Sequence, residues 1–193
     1  PSGSYWSDLR IKHGFKDPHN IKMWCLGNEM DGEWQVGHKT AYEYGRLANE
    51  TAKAMRLFDK NIELVVCGSS SDTMKTFPEW EREVLDLTYD SVDYISMHKY
   101  WSNSDIRSDD REIGKHSTTN YLSNSIGLQK YITDVESTIN FIKSKKRSKK
   151  DVKISFDEYQ PWYHSIKKMN THLNSNIKDW PKAYPILEDE YNL

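Results

Sequence analysis

The sequence predicts an α/β protein built on a parallel sheet, and three observations support this prediction. Apolar, β-branched runs alternate with segments of helical periodicity. The apolar runs are almost continuous, as in strands that are covered on both faces. Polar and aromatic side chains follow the strands, as they do on the catalytic face of a (β/α)8 barrel. The predicted order of elements is βαβαβαβα.

The element boundaries follow from the length and periodicity of each segment. The predicted strands are Lys22–Gly27, Ile62–Cys67, Val92–Met97 and Val152–Asp157. The predicted helices are Thr40–Phe58, Phe77–Leu87 and Ser125–Lys145, with a short helical candidate at Ala183–Tyr191. The polar stretch from Ser102 to Asn124 has no clear periodicity and predicts an irregular loop.

Capping signals mark the first two helices. Thr40 with Glu43 forms a capping-box pattern at the start of the first helix, and apolar residues then recur every three or four positions. Thr76 with Glu79 repeats the pattern before the second helix, where Pro78 falls in the tolerated first turn. Both helices are therefore expected to pack an apolar side on the sheet.

Four βα units fit either an open doubly wound sheet or part of an eight-stranded barrel. No Gly-x-Gly-x-x-Gly or phosphate-loop motif follows a strand, which favours the barrel. A complete barrel needs about 250 residues, so four units cannot close one. The prediction is a partial (β/α)8 barrel, with residues 1–193 forming a fragment of a catalytic domain.

The composition excludes several classes of protein. The 193 residues are 36% hydrophobic and 29% charged, without an apolar run long enough for a transmembrane helix. A formal net charge of -2 gives no field that would recruit nucleic acid or an anionic membrane. The basic run at 143–150 lies at a predicted helix C-terminus, where a solvated cationic end is expected.

The cysteines and histidines indicate neither a cofactor nor a metal. Cys25 and Cys67 each lie inside an apolar run, so buried free thiols are expected rather than a disulfide. Free thiols favour a reducing compartment, and we expect a cytoplasmic protein. No histidine or cysteine spacing matches a metal site, so no metal or cofactor is expected.

Two glutamates stand at the ends of predicted strands. Glu29 closes the first apolar run and Glu158 closes the fourth. Parallel strands bring such residues to one face, together with Trp34, His98 and Tyr100. Carboxylates among flat aromatic rings suit a sugar, because rings pack on its C–H face while carboxylates act at the glycosidic bond. The alternative is a pair of surface or salt-bridged glutamates.

An ordered set of motifs resembles the α-L-arabinofuranosidases of glycoside hydrolase family 51. The motifs are Trp24–Gly32 (WCLGNEMDG), Gly37–Ala41, Ile62–Ser70, Val92–Ser96 and Ser155–Glu158. The resemblance runs from about residue 21 to 164 and continues more weakly in the tail. It implies an exo-acting, retaining enzyme that removes arabinofuranosyl side chains from arabinan or arabinoxylan fragments. Members commonly assemble into hexamers, so a homo-oligomer is expected.

The resemblance also implies a role for each glutamate. Glu29 would be the general acid/base after the fourth barrel strand, and Glu158 the nucleophile after the seventh. The carboxyls of a retaining pair lie about 5–5.5 Å apart, so one negative charge should raise the pKa of Glu29. Strands 4 to 7 would then be present here. The other strands and the β-sandwich domain of the family would be absent, and the isolated chain would be inactive.

Four further residues are candidates for substrate binding. Asn28 resembles the asparagine that binds the sugar hydroxyl next to the anomeric carbon, although a capping role is the alternative. Tyr100 resembles the tyrosine that donates to the nucleophile, with simple aromatic packing as the alternative. His98 either lines the site or is a core histidine with satisfied hydrogen bonds. Trp34 either stacks on substrate or forms a wall of the loop.

The chain departs from the family pattern at three places. Glu33 stands where proline is usual, Lys99 stands where glutamine is more familiar, and Tyr159-Gln-Pro161 replaces the usual Trp-Asn pair. These changes leave the preferred polysaccharide open. A xylosidase or endoglucanase of the same barrel clan, or a non-catalytic sugar-binding fragment, remains an alternative.

Overall fold

The computed structural model describes residues 2–101 and 126–161. The predicted loop at 102–124 and the predicted tail helix at 183–191 lie outside these ranges. Within them, the strands are β1 (Met23–Cys25), β2 (Glu63–Val66), β3 (Tyr94–Trp101) and β4 (Lys153–Pro161). The helices are α1 (Tyr5–Lys12), α2 (Ala41–Phe58), α3 (Glu79–Thr88) and α4 (Ile126–Lys146).

The four strands form one parallel sheet in the order β1-β2-β3-β4. A doubly wound sheet would reverse its strand order at a switch point, and these strands follow the chain in sequence. The described fold is therefore an α/β half-barrel, as the sequence predicts. This order brings the carboxyl ends of all four strands to the same edge.

One hydrophobic core joins the helices to one face of the sheet. In α2, Tyr44, Ala48 and Ala52 recur every four residues and are buried, and the capping box of Thr40 with Glu43 begins the helix as predicted. The helices contribute a continuous apolar layer against β2 and β3. The other members of this core include Trp80, Val84 and Leu85 of α3, Tyr131, Val135, Ile139 and Ile142 of α4, and Leu64, Val66, Ile95 and Met97 of the strands.

Strands β3 and β4 are longer than predicted. β3 runs to Trp101, so His98 and Tyr100 lie within the strand, and β4 likewise includes Glu158. The extension is rich in aromatic residues, which favour extended backbone, and the two strands pair along their whole length. A register shift between Met97 and His98 marks a β-bulge in this pairing.

Strand β1 is short and exposed, which corrects the expectation of a buried run. It pairs with β2 only, among the residues that the structure describes, and all three of its residues are exposed. Cys25 is accordingly an exposed thiol, whereas Cys67 is buried as predicted and both are free. Burial raises the pKa of Cys67 to about 11, so this thiol stays protonated at neutral pH.

Two helix starts differ from the sequence prediction. Helix α3 begins at Glu79 after Pro78 without a side-chain cap, and the predicted capping box with Thr76 is wrong because Glu79 bonds Arg82 instead. Helix α1 was not predicted, since it has no buried residue and is held by a local capping box of Ser4. None of the described helices is both long and apolar enough to cross a bilayer.

Candidate active site

The two predicted glutamates and the predicted histidine converge at the carboxyl edge of the sheet. Glu29 comes from the turn after β1, His98 from β3 and Glu158 from β4. One carboxylate oxygen of each glutamate and one ring nitrogen of His98 all lie within 4.8 Å of one another. The three side chains therefore form a single cluster of two acids and one base.

Glu29 contacts three partners from two segments of the chain. The indole Nε1 of Trp34 donates to Glu29 Oε2 at 2.7 Å, and Gln35 Nε2 donates to the same oxygen at 3.3 Å. His98 Nδ1 lies 3.2 Å from the other oxygen, Oε1. Glu29 has a φ of 47°, a left-handed conformation that costs a non-glycine residue about 1–2 kcal/mol.

The pKa of Glu29 is lowered, which contradicts the expectation that a neighbouring carboxylate raises it. Burial acts in the raising direction, but the hydrogen bonds from His98, Trp34 and Gln35 stabilise the charged form more strongly. The charge of a neighbouring carboxylate does raise a carboxyl pKa, but here the three hydrogen-bond partners outweigh it. In this state Glu29 is a carboxylate at neutral pH.

His98 lies among three carboxylates and is 4% exposed. Its Nδ1 is 3.2 Å from Glu29 Oε1 and 3.5 Å from Glu158 Oε2, and its Nε2 is 3.2 Å from Asp157 Oδ1. Burial lowers the pKa of His98, but hydrogen bonds with Asp157 and Glu29 and the charge of Glu158 raise it to about 9. The ring is an imidazolium at neutral pH. It is a buried histidine with satisfied hydrogen bonds, and its role in lining a substrate site stays a prediction.

The protonated state of His98 bears on metal binding. Glu29, His98 and Glu158 are close enough together to hold a cation. An imidazolium, however, has no lone pair to offer a metal. The expectation that this protein needs no metal stays a prediction, which the ion-paired state of His98 favours.

Tyr100 contacts the second glutamate as the sequence resemblance implies. Its hydroxyl donates to Glu158 Oε1. Burial and the adjacent charge of Glu158 raise the pKa of Tyr100, so the phenol remains a donor throughout the neutral range. The alternative of simple aromatic packing does not account for this bond.

The other two predicted residues adjoin Glu29. Trp34 is 60% exposed, with its N–H on Glu29 and its ring open to solvent. Asn28 precedes Glu29 directly and is exposed. Two residues that touch the cluster were not predicted, Gln35 and Asp157. Gln35 follows Trp34 in the sequence, which is the signal that could have identified it. Asp157 precedes Glu158 in β4, and the β-bulge lets both of these neighbours face His98.

A buried polar layer supports the site from behind. Asp31, two residues after Glu29, accepts hydrogen bonds from the backbone N–H and the hydroxyl of Ser70 at 3.0 and 3.1 Å. Glu81 of α3 accepts from the Ser69 N–H at 2.7 Å. Burial raises the pKa of both carboxyls. These bonds tie the Glu29 turn and α3 to the segment after β2.

The basic run at the end of α4 is engaged in ion pairs. Lys143 pairs with Asp151, and Lys145 lies 2.7 Å from Asp86. Lys150 lies 3.4 Å from Asp93. The interpretation of this run as a solvated cationic helix end stays a prediction.

The fold and the cluster define a class of protein. A parallel sheet in barrel order, with two carboxylates and aromatic donors at its carboxyl edge, has the architecture of barrel glycosidases. Residues 1–119 match the model of the alpha-L-arabinofuranosidase 1 domain. The chain belongs to the α-L-arabinofuranosidases of glycoside hydrolase family 51.

Relatives of known sequence support this membership. The chain is 54% identical over 191 residues to an intracellular exo-alpha-(1->5)-L-arabinofuranosidase of Acetivibrio thermocellus, covering 99% of this chain and 36% of that protein. It is 51% identical over 192 residues to intracellular exo-alpha-(1->5)-L-arabinofuranosidase 1 of Bacillus subtilis, covering 100% and 35% respectively. The chain thus spans about a third of the length of these relatives.

Solved structures show the same relationship. A family 51 alpha-L-arabinofuranosidase from Bifidobacterium longum superposes with a TM-score of 0.75 at 38% identity, covering 83% of this chain and 31% of the other. The alpha-L-arabinofuranosidase of Thermotoga maritima, solved as an arabinose complex, gives a TM-score of 0.63 at 35% identity and covers 84% and 30%.

Proposed function

We propose that this chain is the central part of the catalytic domain of an exo-acting α-L-arabinofuranosidase. The enzyme removes terminal α-L-arabinofuranosyl residues from arabinan or arabinoxylan-type oligosaccharides by a retaining double displacement. The observation that carries the mechanism is the closeness of Glu29 and Glu158, whose facing oxygens lie within 4.8 Å. A retaining pair is about 5–5.5 Å apart, whereas an inverting pair needs about 6.5–9.5 Å to admit water.

The proposed reaction has two steps. Glu158 attacks the anomeric carbon and forms a glycosyl ester while Glu29 protonates the departing oxygen. Glu29 then takes a proton from water, which attacks the same carbon and releases arabinose with retained configuration. Tyr100 holds Glu158 in the direction of attack through its hydroxyl.

The pKa of Glu29 is lowered in the free site, so it must rise when substrate binds if Glu29 is to donate a proton. A sugar that displaces water from the cluster desolvates Glu29, which raises its pKa and favours the protonated acid. Formation of the ester then removes the charge of Glu158, and the pKa of Glu29 falls again as its role changes to base. The hydrogen bonds of Trp34 and Gln35 keep its carboxyl in place throughout.

Recognition of the sugar is assigned to exposed groups beside Glu29. Asn28 binds the hydroxyl next to the anomeric carbon, since it is exposed and adjacent to the acid/base. The open ring of Trp34 supplies an apolar surface for the C–H face of the sugar or of the leaving group. Neither role involves a cofactor.

The rest of the enzyme completes the pocket. We assign β1–β4 to strands 4 to 7 of an eight-stranded barrel and residues 1–193 to a part of that barrel. The named relatives are about three times as long, so the remaining strands and a β-sandwich domain have room there. The chain alone is then expected to be inactive. We also propose a cytoplasmic homo-oligomer that binds neither nucleic acid nor membrane.

The test is hydrolysis of chromogenic glycosides by the full-length protein that carries this chain. Release from an α-L-arabinofuranoside, with proton NMR showing the α-configured sugar as the first product, supports the proposal. Preference for a xyloside or a cellooligosaccharide assigns the protein to another activity of the barrel clan. Sugar binding without turnover supports a non-catalytic domain and overturns the proposal.

A further inference from the structure

Asp157 occupies an extra position in strand β4. The pairing of β3 with β4 joins Met97 to Phe156 and His98 to Glu158, which leaves Asp157 as the bulged residue between them. In a regular strand, neighbouring side chains point to opposite faces of the sheet. The bulge instead allows Asp157 and Glu158 to face the same ring, that of His98.

Both oxygens of the Asp157 carboxylate have defined partners. Oδ1 lies 3.2 Å from His98 Nε2. Oδ2 accepts from the hydroxyl of Ser155 at 3.1 Å, and the thiol of Cys25 on β1 lies 4.0 Å from it. Asp157 is therefore oriented by its own strand and placed against a ring that is almost fully buried.

We propose that Asp157 is a positioning residue of the active site, which holds the ring of His98 so that its Nδ1–H faces the two catalytic glutamates. This inference rests on the proposed function. A carboxylate on one nitrogen of an imidazole fixes both the protonation of that nitrogen and the rotation of the ring. With Nε2–H on Asp157, the other N–H is aimed between Glu29 Oε1 and Glu158 Oε2, at 3.2 and 3.5 Å.

The charges around His98 explain why Asp157 matters. Glu29 faces it from the turn after β1, Asp157 and Glu158 face it from β4, and Tyr100 of its own strand contacts Glu158. Glu29 and Glu158 must each change charge during the proposed reaction, whereas the described contacts of Asp157 are with His98, Ser155 and Cys25. Asp157 is thus the carboxylate that keeps His98 charged and in place while the other two react.

The test compares Asp157→Asn with Asp151→Asn. Asp151 is an exposed aspartate that lies two residues before β4 and pairs with Lys143. The first readout is the titration of the His98 imidazole, followed by NMR in the 193-residue chain and assigned with a His98→Gln variant. Asp157→Asn is expected to move this titration at least one pH unit lower. Asp151→Asn is expected to leave it within about 0.2 units.

The second readout is the pH profile of the full-length protein on an aryl arabinofuranoside. Asp157→Asn is expected to lower kcat about tenfold or more with little change in KM, and to move the alkaline limb of the profile to lower pH. An unchanged His98 titration overturns the proposal, even if kcat falls, because a purely structural role would give that result. If Asp157→Asn does not fold, Ser155→Ala removes the bond to Oδ2 and should shift the same titration by a smaller amount.

The two readouts separate this inference from the proposed function. The NMR titration needs no turnover, so a shift in a protein that does not hydrolyse arabinofuranosides supports the Asp157–His98 relationship while the proposed activity fails. Turnover in the parent protein with no effect of Asp157→Asn on either readout retains the activity and overturns the role of Asp157.

Discussion

The imidazole Nδ1 of His98 lies 3.2 Å from the carboxylate Oε1 of Glu29, although 69 positions separate the two residues along the chain. Three consecutive parallel strands bring them together, because the turn after β1 and the end of β3 meet at one edge of the sheet. The contact joins a buried imidazolium to a carboxylate. It is the largest of the hydrogen bonds that lower the pKa of Glu29, and it acts with Asp157 to raise the pKa of His98.

Stability should decrease with pH as His98 loses its proton. The pKa of His98 rises from 6.5 to about 9 in the folded chain, so between these values the folded state binds the proton more tightly than the unfolded state. This contribution is fully present below about pH 6.5 and is lost as the pH rises through about 9. At about 1.4 kcal/mol per unit, it amounts to about 3 kcal/mol.

Urea unfolding of the 193-residue chain at a series of pH values measures this contribution. His98→Gln should remove most of the decrease between pH 6.5 and 9, while His38→Gln, at an exposed position, should leave it intact. The same slope in wild type and His98→Gln would show that His98 is not a stabilising cation.

Loss of the Tyr100 hydroxyl should slow the chemical step. Tyr100→Phe removes the donor to Glu158 Oε1 and leaves the ring in place. We expect kcat of the full-length protein to fall about 10–100-fold, equivalent to about 1.4–2.7 kcal/mol. The control is Tyr94→Phe on the same strand, whose hydroxyl bonds Glu63 away from the cluster. Equal effects of the two changes would argue against a direct role for Tyr100.

Lys99 should stabilise the segment after β2 through Asp72. Its Nζ lies 2.5 Å from Asp72 Oδ1, and the two side chains are 14% and 24% exposed. Lys99→Met leaves the partly buried Asp72 carboxylate without this cation, with only the hydroxyl of Ser71, among the described residues, near it at 3.3 Å, and should lower the free energy of unfolding by about 1–3 kcal/mol. Lys130→Met removes the exposed pair with Asp134 and should cost about 0.5 kcal/mol or less. Similar urea midpoints for both variants would contradict the assignment.

Azide should restore activity to a Glu29 variant. Glu29→Ala removes the proposed acid/base but leaves Glu158 able to form the ester with a substrate whose leaving group needs no protonation. Azide then attacks the ester in place of activated water and gives an arabinosyl azide of retained configuration. Glu50→Ala, an exposed change on α2, should behave as wild type with or without azide. Rescue that is absent at every azide concentration counts against Glu29 as the acid/base.

Sequence patterns were sufficient to predict the parallel sheet, its strand order and the position of the candidate site residues at the ends of the strands. They were sufficient because Leu64, Val66 and Ile95 belong to short, almost continuous apolar runs separated by segments of helical periodicity, which is the pattern of a covered parallel sheet. The apolar pattern did not predict the exposure of Cys25, because an apolar run looks alike in the sequence whether or not other elements cover the strand in the fold.

The electrostatics of the site were not predictable in the same way. The lowered pKa of Glu29 depends on donors from Trp34, Gln35 and His98, whose directions are set by a left-handed turn and by tertiary contacts. The approach of both Asp157 and Glu158 to the His98 ring depends on a bulge, and a one-residue shift in pairing leaves no periodic trace in the sequence. The sequence was enough to predict which residues belong to the site, but not the directions of their side chains.

The most direct test of the central claim is covalent labelling of the nucleophile. A 2-fluoro-arabinofuranoside with a good leaving group slows hydrolysis of the glycosyl ester, so the intermediate accumulates on the attacking carboxylate of the full-length protein. Peptide mapping by mass spectrometry should place one fluoroarabinosyl group on Glu158, and Glu158→Ala should be both unlabelled and inactive. A label on another residue, or full activity of Glu158→Ala, would contradict the proposed mechanism.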